Sequence, residues 1–112
     1  MIWITSSIEY QNDLERLLKS RSDAENSMLV MEECSELAKA TSKMYRVMCR
    51  VAKEKSGKFL DRKEDLREEM ADVMICISML QRMYKISDVD LEAKIRGKMY
   101  RNMQRLKGED NE

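Results

Sequence analysis

Apolar residues recur along this chain at spacings of three and four, interrupted at three places by short polar runs. Ile8, Leu14, Leu17 and Leu18 mark a first helical segment over about Ser7–Lys19. The run "SRSDAE" breaks it, and Ser22 followed three residues later by Glu25 reads as a capping box for the next helix. A second segment, from about Asp23 to Ala52, carries Val30, Cys34, Leu37, Thr41, Met44, Met48 and Val51 at alternating spacings of four and three. That is the seam of a helix packed on other helices. "KEKSGKFLDRK" is polar and contains Gly57, which predicts a linker over about 53–62. Asp61 with Glu64 then reads as the cap of a third segment, about Arg62–Tyr84, and Ser87 or Asp88 as the cap of a fourth, about Val89–Leu106. The tail 107–112, "KGEDNE", is expected to fray. There is no internal repeat and no low-complexity tract. The pattern predicts one domain over 1–112, an all-α bundle of four main helices. Four helices in 112 residues make a thin core, so oligomerisation is expected to complete it.

Composition supports the helical reading. There is no proline and there are three glycines, so few positions interrupt long helices. Gly97 falls inside the fourth segment, where close helix packing explains it as well as close approach of a ligand. Lys plus Arg is 21 and Asp plus Glu is 21, a balance that argues against nucleic acid or an anionic membrane as partner. No apolar run approaches the ~18 residues of a membrane span. "MIWITSSIEY" lacks the basic and apolar regions of a signal peptide, so a cytoplasmic protein is expected. Cys34, Cys49 and Cys76 form no CxxC and lie among apolar residues; we read them as reduced core residues. Eleven methionines fill gaps in an adaptable core. Histidine is absent, which excludes Ser-His-Asp triads and His-based metal sites. Acid–base or metal chemistry must fall to carboxylates, lysines, tyrosines or cysteines.

The most apolar stretch, "EEMADVMICISML", contains three carboxylates, with Glu69 and Asp72 inside it and Glu68 pointing further out. With about 100° per residue, Leu66, Val73, Cys76, Ile77, Leu80 and Tyr84 fall within roughly 80° of Glu69. Arg67, Ser78, Gln81, Arg82 and Lys85 fall on the far side, and Asp72 sits about 60° from Glu69, at the rim of the stripe. An ionised carboxylate buried without a partner costs several kcal/mol. A buried Lys or Arg, a proton or a metal ion must neutralise Glu69. The stretch "EECSELAK" brings Glu33 and Glu36 one turn apart. Alone it reads as a solvated face, with Glu36 weakly paired to Lys39. Two helices that each bring two acids one turn apart can, however, enclose an oxygen-rich site for a hard cation such as Mg²⁺.

Glu32-Glu33-x-x-Glu36 followed by Glu69-x-x-Asp72 resembles the EExxE…ExxD signature of MazG-like, all-α nucleoside triphosphate pyrophosphohydrolases. The downstream "KMYRNMQRL" is similar to that family's K-x-x-x-N-x-x-(K/R) segment. The resemblance covers roughly residues 25–106. The gap between Glu36 and Glu69 is long, and the chain lacks the aromatic-plus-proline ending many members carry. The resemblance implies Glu33, Glu36, Glu69 and Asp72 as Mg²⁺ ligands, with Mn²⁺ as a substitute, and Glu32 as a supporting acid or general base. Together these five acids would be the catalytic set. It also implies a (d)NTP substrate cleaved to (d)NMP and pyrophosphate; the thin core leads us to expect a homodimer or homotetramer.

In the fourth segment Lys94, Lys98, Asn102 and Arg105 fall within an arc of roughly 80°, beside an apolar line of Ile95, Met99 and Leu106. Such a face is either a solvated basic surface or a grip for phosphates, with Lys as a point charge and Arg as a fork. Trp3, Tyr10, Tyr45, Tyr84 and Tyr100 are candidates to stack on a base, and each serves equally as a packing residue. The rival expectation is a catalytically inactive helical oligomerisation or regulatory module, in which Glu69 pairs with a buried Lys or Arg.

Overall fold

The structure, a computed structural model, describes residues 3–49 and 57–110. After a short 3₁₀ turn at Trp3–Ser6 come four helices: α1 (Ile8–Lys19), α2 (Asp23–Cys49), α3 (Gly57–Tyr84) and α4 (Asp88–Asp110). The all-α expectation holds, and no strand occurs among the described residues. Two boundaries differ from the sequence reading. Residues 57–62 form the opening of α3 instead of a linker, so Asp61 and Glu64 lie inside the helix; the remainder of the expected linker, 53–56, lies outside the described residues. At the other end α4 runs on to Asp110, through the turn expected to fray. In both places a polar run free of proline was compatible with helix, and polarity alone did not end it.

Side-chain caps set the helix starts. The Ser7 hydroxyl accepts from the Tyr10 backbone N–H at 3.1 Å. The capping box of α2 is complete: Glu25 N–H donates to Ser22 Oγ and Ser22 N–H to Glu25 Oε1, each at 3.1 Å. The Ser22 backbone N–H, and after it the Ser22 hydroxyl, hold the Glu25 carboxyl below its usual range.

The helices α2 and α3 form the body of the molecule. Val30 of α2 packs with Cys76 and Met79 of α3, whereas Glu33 meets Glu69 and Asp72. A step forward on α2 is therefore a step backward on α3, and the pair is antiparallel. The inward line of α2 is Asn26, Val30, Glu33, Leu37, Ala40, Met44 and Val47, all buried or half-buried. This is the alternation of four and three that the sequence predicts, displaced from the expected line. Cys34, Thr41 and Met48 are exposed, and Val51 lies outside the described residues. Choosing an apolar residue at each turn stepped over Glu33 and rotated the line by one residue. Facing it, α3 presents Arg62, Leu66, Glu69, Val73, Cys76, Leu80 and Met83, again at fours and threes and none of them exposed.

A second face of α3 is covered by α1. Leu14 and Met79 are almost wholly buried, with Tyr10, Leu18, Leu29, Ile75 and Leu80 around them. The Tyr10 hydroxyl donates to Ser78 Oγ at 2.8 Å, which in turn donates to the Met74 carbonyl at 3.3 Å. Ser78 is therefore buried, although the helical count placed it on the outer side of α3; the docked α1 makes that side interior. Tyr84, expected in the stripe, is exposed. Of the cysteines only Cys76 is a core residue; Cys34 and Cys49 are exposed, and all three are free thiols.

Asn26 fixes the turn between α1 and α2. Its side chain is 0% exposed. It donates through Nδ2 to the Leu18 carbonyl at 3.1 Å and accepts from Arg21 Nε at 3.3 Å. At the end of α3, Lys85 adopts a left-handed conformation with φ 55°, and Ile86 N–H reaches back to the Gln81 carbonyl at 2.9 Å. This is a Schellman turn with lysine where glycine is usual. Gln81 Nε2 then donates to the Ile86 carbonyl and to Asp88 Oδ1, and Ser87 Oγ accepts from Asp90 N–H. The turn so held directs α4 away from the hairpin. After Leu91 and Glu92, every residue from Ala93 to Glu109 is exposed.

The outcome is extended. The radius of gyration is 17.7 Å, against about 13 Å for a compact chain of this length. The accessible surface is 8990 Å², against about 6,500 Å² for a folded monomer of this mass. No helix among the described residues is long and apolar enough to cross a membrane.

Two substitutions test this fold. Asn26→Ala removes a wholly buried amide and leaves the Leu18 carbonyl and Arg21 Nε without it, and the expected loss is about 2 kcal/mol of unfolding free energy. Urea unfolding at an unchanged slope would read it as a lower midpoint. Lys85→Gly relieves the left-handed residue, and a gain of about 1 kcal/mol is expected in the same measurement.

Candidate functional site

The antiparallel register sets Glu33 and Glu69 at the same level of the seam, where coiled helices ordinarily place apolar residues. Both are half-buried. Asp72, one turn further along α3, is exposed at the rim. One carboxylate oxygen from each of the three lies within 4.8 Å of the others. Glu69 Oε2 is shut off from solvent and has no hydrogen-bond partner.

The electrostatics follow from that crowding. Burial raises the Glu33 carboxyl above its usual range, and the Asp72 and Glu69 charges raise it further. Burial likewise leads for Glu69, followed by Asp72, Glu36, Glu68 and Asp65. Cys76, behind the cluster, is pushed up to about 11, first by burial and then by the Glu33 charge. It is a packed thiol and no nucleophile.

Of the acids singled out from the sequence, Glu33, Glu69 and Asp72 converge as expected. Glu36 stands beside them: it is exposed and bonded to Lys39 Nζ at 3.2 Å, yet close enough for its charge to raise both seam glutamates. Glu32 is exposed on α2. One acid was missed. Asp65 precedes Glu69 by four residues, is half-buried, and is held by Arg62 at 3.3 Å. The i, i+4 spacing to Glu69 was the available signal. Arg62 is the cation nearest the seam in this part of α3, and it serves Asp65. Among the described residues no Lys or Arg pairs with Glu69.

Lys94, Lys98, Asn102 and Arg105 lie in order along α4, exposed and without a hydrogen bond or ion pair to the acidic cluster. Within one chain the structure does not bring the basic face to the acids. Of the aromatics, Tyr10 is engaged in the core, while Tyr45, Tyr84 and Tyr100 are exposed. Comparison with protein-family models, curated proteins and solved structures returned no match.

The crowding has a pH signature in metal-free protein. Glu33 and Glu69 titrate higher in the folded chain than in the unfolded one, so the unfolded chain ionises first as pH rises. Their contribution to stability is present below the ordinary carboxylate range. It is lost as pH climbs through the raised folded values. Melting temperatures followed from about pH 4.5 upward should therefore fall less in Glu69→Gln than in the wild type. Identical pH profiles would show that the cluster is not coupled to folding.

Proposed function

We propose that this protein is a divalent-cation-dependent nucleoside triphosphate pyrophosphohydrolase, cleaving a (d)NTP to the (d)NMP and pyrophosphate. The observation that carries the reading is the unpartnered Glu69 Oε2 within a cluster of three carboxylates. Three carboxylates whose charges oppose one another, one of them with an oxygen cut off from water, form a donor set suited to a hard cation. Mg²⁺ fits it, and Mn²⁺ is a substitute. Glu33, Glu69 and Asp72 would hold the ion, with Glu36 next to them. An ion bound there would offset charge on phosphate oxygens and acidify a bound water.

The chain's own groups supply the rest. The apolar residues flanking Glu69 in the seam keep one side of the site dry, which strengthens each charge interaction there. Glu36 is exposed and one turn from Glu33, so it can take up a proton from an attacking water once it leaves Lys39. Glu32 is the alternative base. Lys94, Lys98, Asn102 and Arg105 are suited in type to hold a triphosphate tail. The choice of bond and the pyrophosphate product rest on the motif resemblance. A cytoplasmic setting, where nucleotides and Mg²⁺ are both plentiful, accords with it.

A second reading has its own observation: α4 stands off with its apolar line exposed, as an oligomerisation module would leave it. The two separate on metal titration. If the site is built for a cation, Mg²⁺ or Mn²⁺ raises the melting temperature of the wild type, and Glu69→Gln or Asp72→Asn abolishes the rise. For the enzyme, a panel of canonical and modified nucleotides with Mg²⁺ should release pyrophosphate. Glu69→Gln and Glu33→Gln should each lower the rate by at least about a hundredfold. No release from any triphosphate, or full activity in Glu69→Gln, would overturn the proposal.

A further inference from the structure

The acidic site opens on one side of the α2–α3 seam. At about 100° per residue, Glu36 lies roughly 60° from Glu33 on α2. On α3, Asp72 and Asp65 lie roughly 60° and 40° from Glu69, and all three rotations have the same sense. Two antiparallel helices that face each other turn equal rotational senses to the same side. Glu36, Asp72 and Asp65 therefore line one groove, and the charge of each bears on Glu69.

Two of these acids have a cation. Lys39 Nζ meets Glu36 Oε1 at 3.2 Å, and Arg62 Nη1 meets Asp65 Oδ2 at 3.3 Å. Among the described residues no ion pair reaches Glu33, Glu69 or Asp72. The register sets the two cations across from each other. Val30 packs at the level of Cys76, and Glu33 stands level with Glu69 and Asp72. Continued along the antiparallel pair, that count brings Lys39 level with Asp65. Both lie about six residues, or about 9 Å, from the acidic rung. Toward the start of α2 the seam is filled by Val30, Cys76 and Met79 packed with Leu14 of α1. A chain of anions leaving the rung along the groove in the other direction runs between Lys39 and Arg62.

We propose that Lys39 and Arg62 form a phosphate clamp within the hairpin, holding the diphosphate tail of a triphosphate whose cation sits at Glu33, Glu69 and Asp72. The clamp rests on the proposed nucleotide chemistry. It works by exchange of partners. Both ion pairs span one helical turn at the surface, a kind that contributes little to stability. Arg62 meets Asp65 through one Nη1 N–H, whereas a guanidinium can present two parallel bonds to a phosphate. Lys39 is a point charge on a flexible stem and can follow the tail by rotation alone. The exchange has a second effect. Glu36, once free of Lys39, is the proposed base of the hydrolysis, so arrival of the tail and release of that base become one event. A nucleoside monophosphate has no tail to reach the clamp.

Titration calorimetry of the full chain tests this, with Mg²⁺ alone and then with inorganic pyrophosphate at saturating Mg²⁺. The wild type should bind both. Lys39→Ala/Arg62→Ala should weaken pyrophosphate binding at least about tenfold and leave Mg²⁺ binding unchanged. Should that variant fail to fold by circular dichroism, Lys39→Ala alone, at a side chain 64% exposed, should still weaken it. Asp65→Asn releases Arg62 from its resting partner and should tighten pyrophosphate binding. In an Arg62→Ala background most of that gain should vanish, which a merely structural role of the pair would not produce. Pyrophosphate binding unchanged by loss of the cations, or an equal gain from Asp65→Asn with and without Arg62, overturns the clamp. A wild type that binds Mg²⁺ but not pyrophosphate overturns it too and leaves the cation site standing. A wild type that binds no Mg²⁺ removes the nucleotide reading, and the clamp falls with it.

Discussion

Two carboxylates at one level of an apolar seam are the constraint from which this fold is best understood. The helices α2 and α3 are held by a ladder of inward residues at fours and threes, and at its middle rung stand Glu33 and Glu69. Such a rung cannot be displaced by a small slide. Moving either helix by one residue rotates the inward line by about 100°, which would expose Val30, Cys76 and Val47 to water. The caps, the buried Asn26 and the docking of α1 all keep that register. The capping box sets where α2 begins, Asn26 ties its first turn to Leu18, and Tyr10 reaches Ser78 on the far side of α3. The apolar contacts on either side of the rung offset the cost of holding two acids together.

How the chain treats its other acids makes this pair specific. Glu15 has Lys19 at 3.1 Å, Glu36 has Lys39 at 3.2 Å, and Asp65 has Arg62 at 3.3 Å. Exposed pairs like these contribute little to stability, at most about 1 kcal/mol. They do show that these acids, unlike the seam pair, each have a cation within one turn. The two acids that most need one have none among the described residues, because stretches 27–38 and 68–81 contain no Lys or Arg at all. An arginine at the level of Arg62 reaches Asp65 and stops short of Glu69. Such a gap is hard to account for as packing. The cation proposed above would supply the positive charge that the hairpin itself lacks there.

Much of this was legible along the chain. The existence of each helix followed from periodicity and from the absence of proline, and the Ser22–Glu25 box was readable from two letters. The line of the seam was not. An apolar-only reading preferred Cys34, Thr41 and Met48 to Glu33, Ala40 and Val47, because it treated an acid as evidence against burial. The rule failed at the one place where burial of an acid is the feature of interest. Glu69 was found because its neighbours on α3 are so apolar that its position stood out. Glu33, flanked by Glu32, Ser35 and Glu36, had no such contrast. Ser78 was misplaced for a different reason: the helical count sees one helix at a time, and the second buried face of α3 is made by α1. The stand-off of α4 was not legible either, since its sequence is amphipathic whether or not a partner is present.

That stand-off bears on how the acidic rung survives. Were α4 free to fold back on its own hairpin, its lysines could settle on Glu33 and Asp72 as ordinary ion pairs. Each acid would then be satisfied within one chain and lost to any ligand. The turn after α3 works against this. Lys85 takes a left-handed conformation that lysine does not favour, and Gln81 clamps both Ile86 and Asp88. A cost of about 1 kcal/mol at Lys85 is modest. Among the described residues no ion pair joins the basic line of α4 to Glu33, Glu69 or Asp72.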